Sequence, residues 1–325
     1  MIQRRWIAVV FGLLAFLVPA CGWAEDWPTR PIKFIVPFTP GGGNDILARV
    51  VGERLAPVIG QPVVIENRPG AGGNIGANVV AKSAADGYTF LIAAAAILTV
   101  NPHLYGKLPY DPLKDFDAVA MLGILPVVLA VNADVPAKSV KDLIALAKEK
   151  PTLLSYASAG PGTPHHLAAE LFKSMTGISM VHIPYTGGAP AAMDLIAGRV
   201  QVMFAPINNI TPHLASGRLR LLGVGSEKRL LSRPDLPTIA EAGVPGFFVD
   251  NWIALVAPAG TPKNIVSSLN REVAKVLNEQ DVREKIAIQG IEPPAASTPE
   301  QLSAMTRAEF TRWGEIIRNA GITVK

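Results

Sequence analysis

The chain has 325 residues, 49% of them hydrophobic, with 30 basic and 26 acidic side chains for a net charge of +4. Its length and apolar content exclude wholesale disorder and allow one large core or two smaller ones; two lobes are expected. No run of lysines and arginines marks a nucleic-acid surface, and Glu227-Lys228-Arg229 reads as a solvated turn.

The first segment reads as an export signal. Arg4 and Arg5 precede a nearly unbroken apolar run, Trp6 to Val18, which is shorter than the ~20 residues of a spanning helix. Small residues at Gly22 and Ala24 fit a cleavage that starts the mature chain at Glu25. A competing reading makes Val18 to Cys21 a lipoprotein signal with Cys21 lipidated, a pattern that Pro19 fits poorly. An uncleaved helix is the third reading, against which the basic flank argues. Cys21 is the only cysteine, so a mature chain from Glu25 has no disulfide framework, zinc knuckle or cysteine nucleophile. Two basic and no acidic residues leave with the signal, which lowers the net charge to +2.

Short β-branched segments then alternate with amphipathic ones. Strands are expected over 32–36, 63–66, 88–93, 127–131, 153–157, 180–183, 201–204, 219–224 and 252–257. The alternation argues for an α/β fold with mainly parallel strands flanked by helices. Three helices open on Thr-Pro, at Thr163-Pro164, Thr261-Pro262 and Thr298-Pro299, where a threonine hydroxyl can cap an open N–H and proline has none to waste. Gln301 completes a capping box with Thr298, and another helix runs from Ser139 to before Pro151. Leu167, Leu171, Phe172 and Met175 share one face of the helix after Thr163, which Gly177 ends.

Three loops are rich in glycine. The first, Phe38 to Asp45, joins an expected strand to a helix through Gly41, Gly42 and Gly43. As a dinucleotide fingerprint it is weak, because Ile46 holds the third glycine position, with Glu66 at about the distance of the ribose acid; a Walker A loop is excluded, since no Gly-Lys-Ser/Thr follows. Bare backbone at a helix start does suit a carboxylate, because several N–H groups converge there with the positive end of the helix dipole. Asn44 and Asp45 read as caps, Asp45 bracing the loop because a second carboxylate would repel an anionic ligand. The second loop, Ser158 to His166, offers Gly160 and Gly162 ahead of Thr163; two such loops suggest two walls of one cleft. The third, Asn67 to Gly76, reads as a tight turn into a helix over 75–81.

Enzyme and metal readings are weaker. Tyr156-Ala157-Ser158-Ala159-Gly160 approaches a nucleophile elbow, with Asp194 and His213 in hydrolase order, but Tyr156 occupies a position that needs a small residue. His165 and His166 are adjacent, and helix neighbours point about 100° apart, so they do not form a metal pair. His166 reads as a hydrogen-bonding residue at the helix start or between lobes. No cofactor is expected.

Several stretches also resemble a known family: PFTPGGGNDILAR, ENRPGAGGNIGA, ADGYTFL, NPHLYGKLPYDPLKDF, KSVKDLIALAK, GPGTPHHLAAELF, PYTGGAPAAMDLIAGRVQVMF and DLPTIAEAGVPGF. From about Trp27 to the C-terminus these are similar, in order and spacing, to the Bug (TctC-like) substrate-binding proteins of tripartite tricarboxylate transporters. The resemblance implies a periplasmic, monomeric, two-lobe binding protein that holds a small organic acid between lobes and presents it to membrane permease subunits. It implies one lobe from 25–124 plus 250–325 and another from 125–249, with carboxylate loops at Thr39 to Asp45 and Gly160 to Thr163. A receptor that docks on a signalling partner shares these features. Neither loop contains Arg or Lys, so backbone N–H groups, the hydroxyls of Thr39 and Thr163, and water are the expected grip.

Departures from the family pattern shape the ligand expected. Ala93 to Leu98, with Ala94 and Ala95 at pocket positions, stands where relatives often place polar groups; Ala205 stands where an acid is frequent, and Thr186 where lysine is usual. Fewer polar partners argue against an amino acid or a citrate-like polyanion, whose extra charges would lie unpaired at a cost of several kcal/mol. The expected ligand is a monocarboxylate or weakly polar dicarboxylate with an apolar or aromatic body, packed against Phe38 or Trp252.

Overall fold

A computed structural model describes residues 27–322; the export-signal and Cys21 readings fall outside the described residues. Strand β1 (Ile32–Val36) leads through the glycine turn to α1 (Gly43–Ile59), followed by β2 (Val63–Asn67), α2 (Asn74–Ala81), β3 (Thr89–Ala94) and the short helices α3 (Ala95–Thr99) and α4 (Asn101–Leu104). The long β4 (Phe116–Asn132) precedes α5 (Val140–Glu149), β5 (Ser155–Ser158), α6 (Pro164–Thr176), β6 (Val181–Pro184), α7 (Gly188–Ile196), β7 (Val202–Pro206), α8 (Thr211–Leu214) and β8 (Leu219–Val224). The chain returns through β9 (Asp250–Pro258) and ends on α9 (Lys263–Asn278), α10 (Gln280–Ile288) and α11 (Pro299–Ala320). Among the described residues no helix is long and apolar enough to cross a membrane.

The strands pair in the order β2-β1-β3-β9-β4-β7-β5-β6, with β8 also on β4. Parallel ladders join β1 to β2 and β3, and β5 to β6 and β7, where helices alternate with strands. All four antiparallel ladders involve β4 or β9, the strands that carry the chain between lobes. β4 pairs with β9 as far as Pro126 opposite Asp250, then with β7 from Val127 opposite Pro206. Proline donates no ladder hydrogen bond, so these two residues mark the handover from one half of the sheet to the other. Register shifts at Ala118/Ala120 and Met121/Gly123 break the alternation of β4, which is why its first half is hard to recognise from sequence.

Each half buries its own core. Phe34 and Phe90 meet edge to face at 6.1 Å in the first, and Phe172, Phe204 and Phe247 cluster in the second. The final helix serves both: Leu302 packs in the first core, whereas Trp313 and Ile317 join the second beside Val100 and Leu104. Its apolar stripe is too long for one lobe to cover, so α11 ties the lobes together instead of belonging wholly to the first.

The helix starts separate expected from realised caps. Thr298 and Gln301 form the capping box, with bonds of 3.2 and 2.9 Å, and Ser139 accepts from the Asp142 N–H. The Thr163 hydroxyl instead donates to Gly160 O at 2.6 Å and that of Thr261 to Pro258 O at 2.7 Å, where a nearby carbonyl outcompetes the helix amides.

Gly123 lies where β4 passes closest to the chain after α10; a methyl group there would stand 2.6 Å from Ile291 Cγ2. Gly123→Ala is expected to lower stability by about 1–3 kcal/mol, measured as a lower urea midpoint with an unchanged slope.

Candidate functional site

Six strands, β1, β2, β3, β5, β6 and β7, end at one cavity of about 520 Å³. A cleft outside the carboxyl ends of parallel strands is where an α/β sheet leaves its helix N-termini open. From the first lobe come Phe38, Thr39, Gly42, Gly43 and Asn44 after β1, Gly72 after β2, and Ala94, Ala96, Asn101, Leu104 and Tyr105 after β3. From the second come Pro161, Gly162, Thr163, Pro164 and His165 after β5, Gly188 after β6, and Pro206 and Asn209 around the end of β7; Asn251 of β9 completes the wall. None of these residues carries a formal charge, and the lining includes both apolar side chains and amides.

The two glycine loops therefore share one cavity, and each is braced from behind. In the first, Asp45 is 2% exposed and accepts from the Gly41 N–H at 2.9 Å, from Arg49 twice at 3.0 Å and from Asn67 Nδ2 at 2.9 Å. Burial pushes the Asp45 carboxyl up, but these hydrogen bonds outweigh it and hold the group below the usual carboxylate range. Asn67 also donates to Phe38 O at 3.0 Å, which pins the turn at its other end. Asp45 thus sits behind the loop, outside the lining. Ile46 is the first amide of α1 with a helical acceptor, Gly42 O at 3.0 Å, so the amides before it have no partner within the helix.

Behind the second loop, Tyr156, His182 and His166 stack with near-parallel rings, 4.8 Å and 4.3 Å between neighbouring centroids. His166 Nδ1 accepts the Gly162 N–H at 3.1 Å, and Ser158 Oγ accepts the Gly160 N–H at 3.1 Å while lying 2.6 Å from His182 Nε2. Burial, helped by the neighbouring His182, pushes His166 down to about 4, and burial also lowers His182. The column is therefore neutral at ordinary pH, as acceptance by His166 Nδ1 requires. This loop spends its own N–H groups on its shape; the donors that remain at α6 are the amides before Leu167, whose N–H bonds Thr163 O at 3.0 Å.

The remaining expected site residues divide by pleat and position. Phe38, Thr39, Gly42, Gly43, Asn44, Ala94, Gly162 and Thr163 line the cavity. Gly41, Asp45, Gly160 and His166 brace it. Trp252 lies in the first-lobe core because its neighbour Asn251 faces the cavity and successive strand residues point oppositely; Ala205 beside Pro206 is buried for the same reason. Ala95 packs in the core between Ala94 and Ala96, and Thr186 is exposed outside the lining. The third glycine loop, read as a turn only, reaches the cavity through Gly72. Applying the strand-end rule to all parallel strands, and not only those followed by glycines, would have found Gly72, Asn101, Gly188 and Asn209.

The hydrolase constellation does not assemble. Ser158 is buried against His182, and the Asp194 carboxylate takes the Tyr185 hydroxyl at 2.8 Å and Arg199 at 2.7 Å, so neither is paired with His213 on α8. Among the described residues no cluster of three or more His, Cys, Asp or Glu side chains could hold a metal ion.

A family model described as the tripartite tricarboxylate transporter family receptor (TctC) matches residues 47–322. The BugT protein of Bordetella pertussis is 41% identical over 303 residues, covering 93% of both chains. Among solved structures, R. palustris Rpa4515 with adipate is 41% identical with a TM-score of 0.79, covering 92% of this chain and 100% of that one. MatC (Rpa3494) from Rhodopseudomonas palustris with bound malate is 33% identical with a TM-score of 0.75, covering 90% and 100%.

Two outcomes follow from the braces. Asp45→Ala is expected to cost about 3 kcal/mol of stability, because the donors from Gly41, Arg49 and Asn67 lose their acceptor, and chemical unfolding measures it. Because the buried histidines hold their pKa below that of the unfolded chain, the unfolded state binds more protons as pH falls from about 6.5 to about 4, so stability declines across that window. His166→Asn keeps an acceptor for Gly162 without a titrating ring. Its stability is expected to fall less steeply than the native protein's by roughly 2 kcal/mol over that window, after allowance for solvent screening, in pH-dependent urea unfolding.

Proposed function

We propose that this chain, which belongs to the tripartite tricarboxylate transporter receptor family, is a periplasmic solute-binding protein that captures a small organic carboxylate and presents it to membrane permease subunits. The observation that carries this reading is a cavity with no ionic side chain, into which the N-terminal turns of α1 and α6 bring backbone amides from opposite lobes. A carboxylate fits there because the open N–H groups and the helix dipoles supply partial positive charge without a fixed cation. The grip consists of the Gly42, Gly43 and Asn44 amides with the Thr39 hydroxyl on one side, and the His165 and His166 amides on the other. Such a neutral grip releases its cargo more readily than a buried ion pair, whose rupture leaves a charge stranded.

Ligand class follows from the rest of the lining. Phe38, Leu104 and the Tyr105 ring offer an apolar face for the body of the ligand. No lining side chain is placed to neutralise a second or third charge, which disfavours citrate-like polyanions, and no carboxylate lies in the lining to pair with the ammonium of an amino acid. The relatives with adipate and malate are in keeping with a small acid as cargo.

Thermal-shift titration tests the reading. Aliphatic or aromatic monocarboxylates or weakly polar dicarboxylates are expected to raise Tm by several degrees, since a ligand at a hundred times its Kd adds about 2.7 kcal/mol. Strong stabilisation by citrate or aspartate alone would reject the ligand class, and no response to any organic acid in calorimetry would reject the solute-binding role.

A further inference from the structure

Behind the cavity, a small group of charged side chains gathers where the chain crosses between lobes. Asp250 opens β9 opposite Pro126, the residue at which β4 passes from one half of the sheet to the other. Its neighbour Asn251 faces the cavity, so Asp250 points the opposite way, toward the charges of α11. From α11 come Glu309, 8% exposed, and Arg312, whose Nε stands 3.3 Å from Glu309 Oε1. Arg312 Nη2 donates to Phe248 O at 2.5 Å, and Glu309 Oε2 accepts from Trp313 Nε1 at 3.0 Å. Among the described residues the Asp250 carboxylate has one neutral donor, the Ser226 hydroxyl at 2.6 Å. Glu227, beside Ser226, adds a further negative charge, whereas β4 brings none here, its Asp117 lying at the far end of the strand. With two carboxylates to one guanidinium, the junction is net negative when all three are ionised. Asp250 is the carboxylate held least firmly. Burial, with Glu309 and Glu227, pushes its carboxyl up to about 6 against the opposing pull of Ser226 and Arg312.

We infer that Asp250 is a proton-binding site at the junction of the lobes, which takes up a proton when an anion enters the cavity and so makes capture tighter as pH falls. This rests on the proposed solute-binding role and adds a regulation to that site. The coupling is electrostatic and runs across one step of the β9 pleat. An anion in a cavity of about 520 Å³ that Asn251 helps to line lies on the order of 10 Å from the Asp250 carboxylate. At an effective dielectric constant of about 20, a unit charge at that distance raises the proton affinity of Asp250 roughly tenfold. Linkage then works in both directions: the anion favours the proton, and the proton favours the anion by the same factor. The buried histidines of the second wall, His165 and His166, stay neutral in this range because burial holds both at about 4, so they do not supply the proton site.

Calorimetry between pH 5 and pH 8, with whichever of hexanoate, benzoate and adipate binds most tightly, tests this in buffers of different ionisation enthalpy. The native protein is expected to take up about half a proton per ligand near pH 6.5 and to bind up to about tenfold more tightly at pH 5 than at pH 8. Asp250→Asn keeps an acceptor for Ser226 without a charge. It is expected to lose that proton uptake and, at pH 8, to bind about tenfold more tightly than the native protein, a gain that a merely structural role for Asp250 would not produce. Unchanged or weaker binding by Asp250→Asn at pH 8, or a pH dependence that survives the substitution, would overturn the inference while leaving the solute-binding role intact. If no organic acid binds at any pH, that role fails and the linkage with it. Should Asp250→Asn not fold, carboxyl-carbon NMR of the native protein decides: Asp250 is expected to titrate at about 6 without ligand and at higher pH with it, and a titration in the ordinary carboxylate range, or one that the ligand does not move, overturns the inference.

Discussion

The cavity depends on backbone amides being held open at the starts of two helices, and a buried carboxylate does much of that holding. Asp45 gathers the Gly41 N–H, the Arg49 guanidinium and the Asn67 amide, and Asn67 reaches on to Phe38 O. A turn with three glycines has many shapes open to it and loses much conformational entropy on folding. Fastening its ends to one ionised group selects a single shape in which the Gly42, Gly43 and Asn44 amides are left unspent. The acidic side chain stays behind the turn, paired with Arg49 and outside the cavity lining.

The opposite wall solves the same problem with neutral groups. The Tyr156-His182-His166 column and Ser158 absorb the Gly160 and Gly162 amides, and Glu170 anchors the far end of the column through the Tyr156 hydroxyl at 2.5 Å and Lys173 at 2.7 Å. What faces the cleft is then the first turn of α6. The carboxylate behind the first loop and the aromatic column behind the second both lie outside the lining, which carries no formal charge. The two walls are linked by β4, which pairs with β9 in the first half and with β7 in the second, and by α11, whose side chains pack in both.

Much of this was written locally in the chain. Period-two and helical patterning located β1 and β8 to the residue and most other strands within about two, because those segments bury one face or both between helices. Phe38, Thr39, Gly42, Gly43, Asn44, Gly162 and Thr163 were legible as cavity residues because glycines and caps at a strand-to-helix junction leave few other reasons for such bareness. The first half of β4 was not, since its bulges, Gly123 and Pro126 destroy the alternation. Trp252 and Ala205 were misplaced relative to the cavity by one step of the pleat, a choice fixed by strand pairing.

The sequence by itself determined the alternation of strands and helices, the absence of Arg and Lys from both glycine loops and the family to which the chain belongs, because each is a property of residues near one another in the chain. Only the tertiary structure decided which amides remain open, that His166 turns behind the loop while His165 meets the cavity, and that Asn209 lies against His165. Those outcomes depend on Asn67, His182 and Asn209, residues distant in sequence that become neighbours only when the sheet is assembled, and hydrogen bonds between such neighbours leave no periodic signature in the chain.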